Sequence, residues 1–186
     1  MTDKTTVRHE KQGSPKTAVI TLIVCVLVGV FGIGGLKLNG VRGKVVRAFN
    51  DGETSIAADL AKHNENAYNV ITVGRRVLGA TDASVVAADA AYAYANSAAT
   101  PSEMYAADLL LDGAINDLAA AMDTQDLSKT DADLVSAQIA DMKSRDAIIS
   151  HNTYNEGVTD YADRAGQFPA SLIALLEGLG TPEYYR

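Results

Sequence analysis

Two histidines stand in the part of the chain that reads as helix, and a di-iron site in a helical bundle would need a glutamate three residues before each, facing inward. Leu60 and Ile148 occupy those positions before His63 and His151, so the Glu-x-x-His pattern is absent. Asp59 and His63 lie four apart on one helix face, the spacing of an ordinary surface or seam contact. No phosphate loop, zinc-protease motif or nucleophile elbow occurs, and no nucleophile–base pair is visible. Gly40-Val41-Arg42-Gly43-Lys44 lacks both the loop length and the following hydroxyl that a phosphate loop requires. The sequence therefore assigns no catalytic residue, no cofactor and no metal ligand. Three tyrosines remain. Tyr68, Tyr154 and Tyr161 fall on faces expected to be buried, where each phenol needs a partner. Asn69 and Asn155, each following a tyrosine, are placed to supply one. The simpler reading is a polar tie between helices, with a ligand pocket at the same residues as its rival.

The elements that must carry these residues begin with an apolar run. Ala18 to Leu36 contains one hydroxyl and no charge in nineteen residues. As a helix it is about 28 Å long, close to the roughly 30 Å hydrocarbon core of a bilayer. The run is longer than a signal-peptide core and is followed at once by Lys37, which favours a retained anchor over a cleaved leader. Cys25 lies inside it behind a bulky Val24, a poor lipidation site, and as the one cysteine it precludes an intrachain disulfide. Glycines at 29, 32, 34 and 35 could let two such helices approach, though not in Gly-x-x-x-Gly spacing.

Charge is divided sharply. Residues 1–50 carry eight Lys or Arg against two acids, whereas residues 51–186 carry eight against twenty-one. The basic collar suits anionic headgroups, and the acidic body excludes a nucleic-acid footprint. Four basic residues precede the apolar run (Lys4, Arg8, Lys11, Lys16) and four follow it (Lys37, Arg42, Lys44, Arg47), so the positive-inside rule does not orient it.

The fold class is all-α: an N-terminal tail (1–17), a transmembrane helix (18–36), an antiparallel up-and-down bundle of long helices (37–168) and an apolar tail packing on the bundle (169–186). Helices are expected at about 38–78, 82–122 with a break near 96–100, and 130–166. Phe49, Ile56, Leu60, Ala67 and Val70 share one face of the first. Thr100-Pro101-Ser102-Glu103 joins a capping box to proline at the first helical position. Tyr154, Val158, Tyr161, Ala165 and Phe168 step by four and three as a heptad seam, extended upstream by Ala147, Ala140 and Ala137. Short turns between long helices imply antiparallel neighbours. Leu172, Ile173, Leu175, Leu176 and Leu179 form a last apolar helix, a lid on the bundle or an interfacial helix.

The stretch Tyr154-Asn155-x-x-Val158-x-x-Tyr161, then Phe168-Pro169, then Leu172-Ile173-Ala174 and a closing Gly178, Pro182 and Tyr184 resembles the signature of the LemA family. Asn69-Val70-Ile71 with Glu65 is similar to the family's motif in its first helix. Tyr68 stands where the family has proline, and Ala162 where it has a second asparagine. The resemblance implies a single-pass bacterial inner-membrane protein with a short external N-terminus and a cytoplasmic bundle. It singles out Glu65, Asn69, Tyr154, Asn155, Tyr161, Phe168 and Pro169 as positions of structural or ligand role. The functional expectation is a non-enzymatic membrane-tethered scaffold or adaptor. Its partners would be the lipid bilayer, through residues 18–36, and another protein or a second copy. The alternative is a small-molecule or envelope-stress sensor using the Tyr/Asn region.

Overall fold

The computed structural model describes residues 15–186; Lys4, Arg8, Lys11 and the rest of the tail before Pro15 lie outside them. Among the described residues every regular element is a helix. Helix α1 (Pro15–Leu27), a π-helical stretch (Val28–Ile33) and α2 (Gly34–Asn50) run together as one rod of 36 residues, long and apolar enough to cross a membrane. Its first half exposes Val19, Ile20, Leu22, Ile23 and their neighbours. The second half turns amphipathic and buries Leu38, Val45 and Phe49.

The single helix expected over 38–78 is two. The rod stops at Asn50, and α3 (Ile56–Val77) starts afresh after Asp51–Ser55. Gly52 takes φ +100°, a left-handed conformation that glycine adopts without a Cβ clash. The Ser55 hydroxyl donates to the Gly52 carbonyl (2.8 Å) and accepts from the Ala58 amide (3.2 Å), which caps α3. Phe49, Ile56, Leu60, Ala67 and Val70 are nonetheless all buried. Their apolar character is decided by the core, not by helix continuity.

Helix α4 (Ala83–Ser97) is capped by Asp82, and α5 (Pro101–Asp123) by the complete Thr100–Glu103 capping box. Ser128 caps α6 (Lys129–Ser150). The expected helix over 130–166 also divides, at His151–Thr153, before α7 (Tyr154–Gly166). The Asn152 side chain accepts the Tyr154 amide there (2.9 Å) in place of a helical carbonyl. The break resets the register. Upstream of it Ala137, Ala140 and Ala147 are exposed, and α6 buries Val135, Met142 and Ile149 instead. Downstream Tyr154, Val158 and Tyr161 are buried as the seam predicts. Phe168, the last member of that seam, lies beyond the end of α7 and is 83% exposed.

Two apolar clusters hold the bundle. One gathers Val70, Ile71, Val73, Val85, Leu111, Ile115, Leu118, Met122 and Met142 from α3, α4, α5 and α6. The other gathers Leu38, Phe49, Ile56, Leu60, Ile149, Tyr154, Val158, Tyr161, Ile173 and Tyr185 around α2 and α7. Helix α8 (Ala170–Glu177) lies back against the rod. A Cβ at Gly34 would come within 2.7 Å of Ile173 Cδ1, and one at Gly35 would strike the Glu177 carboxylate. This glycine pair is thus used within the chain, for α8.

Leu118 is wholly enclosed and seals against Gly74, where a Cβ would sit 2.8 Å from its Cδ1. Leu118→Ala is expected to lower unfolding free energy by about 2–5 kcal/mol, measured by denaturant titration of the detergent-solubilised chain.

Candidate functional site

The residues marked by the C-terminal motif hold down the end of the chain. The Tyr154 hydroxyl donates to the Glu183 carbonyl (2.6 Å) and that of Tyr161 to the Leu179 carbonyl (3.2 Å). Asn155 pairs twice with the backbone of Tyr185: Nδ2 donates to its carbonyl and Oδ1 accepts its amide, both at 2.9 Å. Arg42 of the rod donates to the Gly180 carbonyl (2.8 Å). The asparagines therefore do not serve the adjacent phenols as the sequence suggested. A helix turns successive side chains about 100° apart, so Tyr154 and Asn155 reach different points of the irregular segment after α8.

This segment carries Tyr185 into the core. Its ring packs edge-on against Tyr105 (5.2 Å between centroids) and near Phe49 (6.0 Å). Its hydroxyl donates to Asp108 Oδ2 at 2.9 Å. Asp108 belongs to a group that sequence reasoning missed. His63, completely buried on α3, is surrounded by carboxylates from two other helices. Nδ1 lies 3.4 Å from Asp108 Oδ1, while Nε2 lies 2.9 Å from Asp112 Oδ1 and 3.4 Å from Asp146 Oδ1. Asp108 and Asp112 are four apart on α5 and so stack on one face; Asp146 comes from α6. His63 itself sits between Leu60 of one apolar cluster and Ala67 of the other.

Asp59, expected as a seam partner of His63, turns elsewhere: it is buried and accepts from Arg145 Nη1 at 3.2 Å. Arg145 Nε faces Asp141 at 3.7 Å, so this cation, although next to Asp146 in sequence, is directed to other acids. Among the described residues no Lys or Arg nitrogen lies within 4 Å of Asp108, Asp112 or Asp146.

The electrostatics follow from burial and like charge. Burial alone would push the His63 imidazole down, but the Asp112 hydrogen bond and the charges of Asp108, Asp112 and Asp146 together hold it above its ordinary value. Burial raises the Asp108 carboxyl against the pull of His63 and of the Tyr185 hydroxyl. Burial and the neighbouring Asp112 push Asp146 up to about 6. Desolvation and the adjacent Asp108 raise the Tyr185 phenol well above its usual range, so it remains a donor. Three atoms of the group are buried without a hydrogen-bond partner: His63 Nδ1, Asp108 Oδ1 and Asp146 Oδ1. One ligand atom each from His63, Asp108 and Asp146 lies within 4.8 Å of the other two.

Asp108 also lines a cavity of about 360 Å³ between α3, α4 and α5, with Asn64, Glu65, Tyr68, Tyr92 and Asn96 on its wall. Tyr68, expected to be buried, is 43% exposed and stacks obliquely on Tyr92 (5.4 Å) beneath the Arg75 guanidinium. Asn69 ties α3 to α6 through Gln138 Oε1 (3.0 Å). Phe168 touches neither the cavity nor the histidine group, and Pro169 helps line a groove beside Gly29, Val30 and Ile33 of the rod. The seven motif residues thus divide between a strap anchor (Tyr154, Asn155, Tyr161), a cavity wall (Glu65), an interhelix tie (Asn69) and the approach to α8 (Phe168, Pro169).

Neither a protein-family profile nor a curated protein nor a solved structure matches the chain. What the site can do is therefore argued from its own geometry: an imidazole with carboxylates on both ring nitrogens, closed on one side by Tyr185 and half open at Asp112 and Asp146. The signal in the sequence was Asp108, a carboxyl in the same helical stripe as Leu111, Ile115 and Leu118. A charged residue in such a stripe is rarely buried without a partner.

Asn155→Ala is expected to remove both backbone bonds to Tyr185 and free the last residues. Carboxypeptidase digestion of the folded variant should then trim the C-terminus at least several-fold faster than in the wild-type protein. Tyr185→Phe should leave the strap in place and lower stability by about 1.5–3 kcal/mol through the lost bond to a carboxylate.

Proposed function

We propose that the chain is a membrane-anchored helical scaffold of the LemA type, without catalytic activity, whose bundle is an antiparallel up-and-down array that engages another protein. The observation that carries this reading is the rod. It passes unbroken from an exposed apolar half into the apolar cluster at α7 and α8, where Leu38, Val45 and Phe49 are enclosed. A helix that is apolar all round and finds no protein to cover it calls for lipid. Helix α8 supports the same seat. It lies against Gly34 and Gly35 at the end of the apolar run and turns Leu175 and Leu176 outward, as a helix with its free face at a bilayer surface would.

In this reading the short N-terminus is outside a bacterial inner membrane and the acidic bundle is in the cytoplasm. The acidic exterior and the helix faces that no element of the chain covers offer the protein contacts. Crosslinking in intact membranes with mass spectrometry is expected to recover a reproducible partner or a second copy joined through the bundle. Recovery of neither counts against the scaffold. For orientation, Asp126→Cys in a Cys25→Ala background lies in the exposed turn between α5 and α6. It should react with a membrane-impermeant maleimide in inverted vesicles and not in spheroplasts; the opposite pattern reverses the orientation.

The cavity beside Tyr68 and Tyr92 favours a second reading, a small-molecule sensor, because its aromatic, amide and acidic wall suits a polar ligand with an apolar body. At the strap, Tyr154 lines a separate cavity of about 320 Å³ with Thr181, Pro182 and Glu183; the sensor reading rests on the one at Tyr92. Compounds that raise the melting temperature of wild type but not of Tyr92→Ala, while still stabilising Tyr154→Phe, would support the sensor.

A further inference from the structure

We propose that His63, Asp108 and Asp146 bind one divalent first-row metal ion, of the Mn²⁺, Fe²⁺ or Zn²⁺ class, through one imidazole nitrogen and two carboxylate oxygens. The three residues whose ligand atoms lie within 4.8 Å of one another each hold a buried atom without a hydrogen-bond partner, the fourth such atom being Arg145 Nε. An ion bound at about 2.0–2.2 Å spans about 4.0–4.4 Å between opposite ligands. The set is thus close to the separations one ion spans, and Asp146, whose Oδ1 now lies 3.4 Å from Nε2, must turn toward the Nδ1 side to complete it.

The surrounding groups assign the roles. His63 Nε2 has a partner, Asp112 Oδ1 at 2.9 Å, which fixes the proton on that nitrogen and leaves Nδ1 as the ligand atom. A metal-bound histidine characteristically donates its other ring N–H to a carboxylate in this way. Nδ1 faces Asp108 Oδ1 at 3.4 Å, too long for a good hydrogen bond and close to the edge of a tetrahedral coordination shell. The second oxygen of Asp108 is taken by the Tyr185 hydroxyl, so only Oδ1 is free to ligate. Tyr185 and Asp112 are thus positioning residues, and the C-terminal strap becomes part of the site.

Charge points the same way. Three carboxylates face one imidazole, and the guanidinium of Arg145, next to Asp146 in sequence, is turned to Asp59 and Asp141. A divalent cation neutralises Asp108 and Asp146 directly and leaves His63 neutral. The nitrogen–oxygen set suits ions of borderline hardness better than Ca²⁺ or Mg²⁺, which favour all-oxygen shells, or Cu⁺, which favours sulfur. Three protein ligands leave coordination positions open, and the half-exposed Asp146 gives them a way to solvent. The site does not depend on whether the rod crosses a membrane.

The test uses the full chain in detergent, stripped with EDTA and titrated calorimetrically with MnCl₂, ZnCl₂ and MgCl₂, with melting curves alongside. Zn²⁺ or Mn²⁺ is expected to bind one ion per chain and raise the melting temperature, with Mg²⁺ much weaker. Asp108→Asn and Asp146→Asn should each weaken binding by at least about tenfold. Metal-free Asp146→Asn should melt no lower than metal-free wild type, because one of the crowded carboxylates has been neutralised. Asp160→Asn, exposed on α7, should bind as wild type does. Circular dichroism establishes that each variant is folded. Failure of wild type to bind either ion below millimolar concentration overturns the proposal, as does wild-type affinity in both folded Asp108→Asn and Asp146→Asn.

Discussion

A histidine with no access to water and three carboxylates around it is the constraint on which the rest of the bundle depends. His63 takes up a position that an apolar residue would fill more cheaply, since the helical stripe on either side, Leu60 and Ala67, belongs to the core. Removing a charged imidazole from water is tolerable only where opposite charge and hydrogen bonds replace hydration. The partners come from α5 and α6, so the angle between those helices and α3 is tied to the polar group as much as to packing. The two apolar clusters meet at this layer.

The C-terminal strap is the second dependence. The irregular segment after α8 has no ladder or helix to satisfy its backbone, and it stays in place because side chains of α7 and α2 bond its carbonyls and the Tyr185 amide. Through Tyr185 this strap closes the His63 group. The motif residues on α7 and the polar centre, which share no sequence neighbourhood, are therefore one mechanical unit. A disturbance at Tyr154 or Asn155 reaches Asp108 through the position of a single phenol.

Much of this was legible in the sequence, and the parts that were not have physical reasons. The helical class, the cap at Thr100 and the buried faces through Ile56–Val70 and Tyr154–Tyr161 follow from local chemistry. The breaks at Asp51–Ser55 and His151–Thr153 were not expected, because a three-to-four spacing of apolar residues persists across the first and the polar residues at the second are tolerated inside exposed helices. Local signals were present in Gly52, Ser55 and Asn152, but each is common outside breaks. The alanine seam on α6 misled because small residues fit equally well on exposed and close-packed faces. The polar centre was illegible for a different reason. Its four side chains come from three helices, and only Asp108 and Asp112 show a spacing that sequence can reveal. A search for Glu-x-x-His pairs looks for ligands delivered by one helix at a time, whereas here α3 supplies the nitrogen and two other helices supply the oxygens.

The rod adds a final constraint. A helix of 36 residues without a break between its exposed apolar half and its buried half is stiff over that length, apart from the π-helical stretch at Val28–Ile33, where the hydrogen-bond register is looser. Any tilt or rotation imposed on the apolar half is passed to Leu38, Val45 and Phe49. Phe49 touches both Tyr154 (5.0 Å between ring centroids) and Tyr185 (6.0 Å). The end of the rod thus bears on the same phenol that closes the histidine group. Geometry alone couples the apolar helix to the polar centre through two ring contacts. A change at either end, whether the bound state of the cluster or the setting of the rod, must therefore be accommodated at Phe49 and Tyr185.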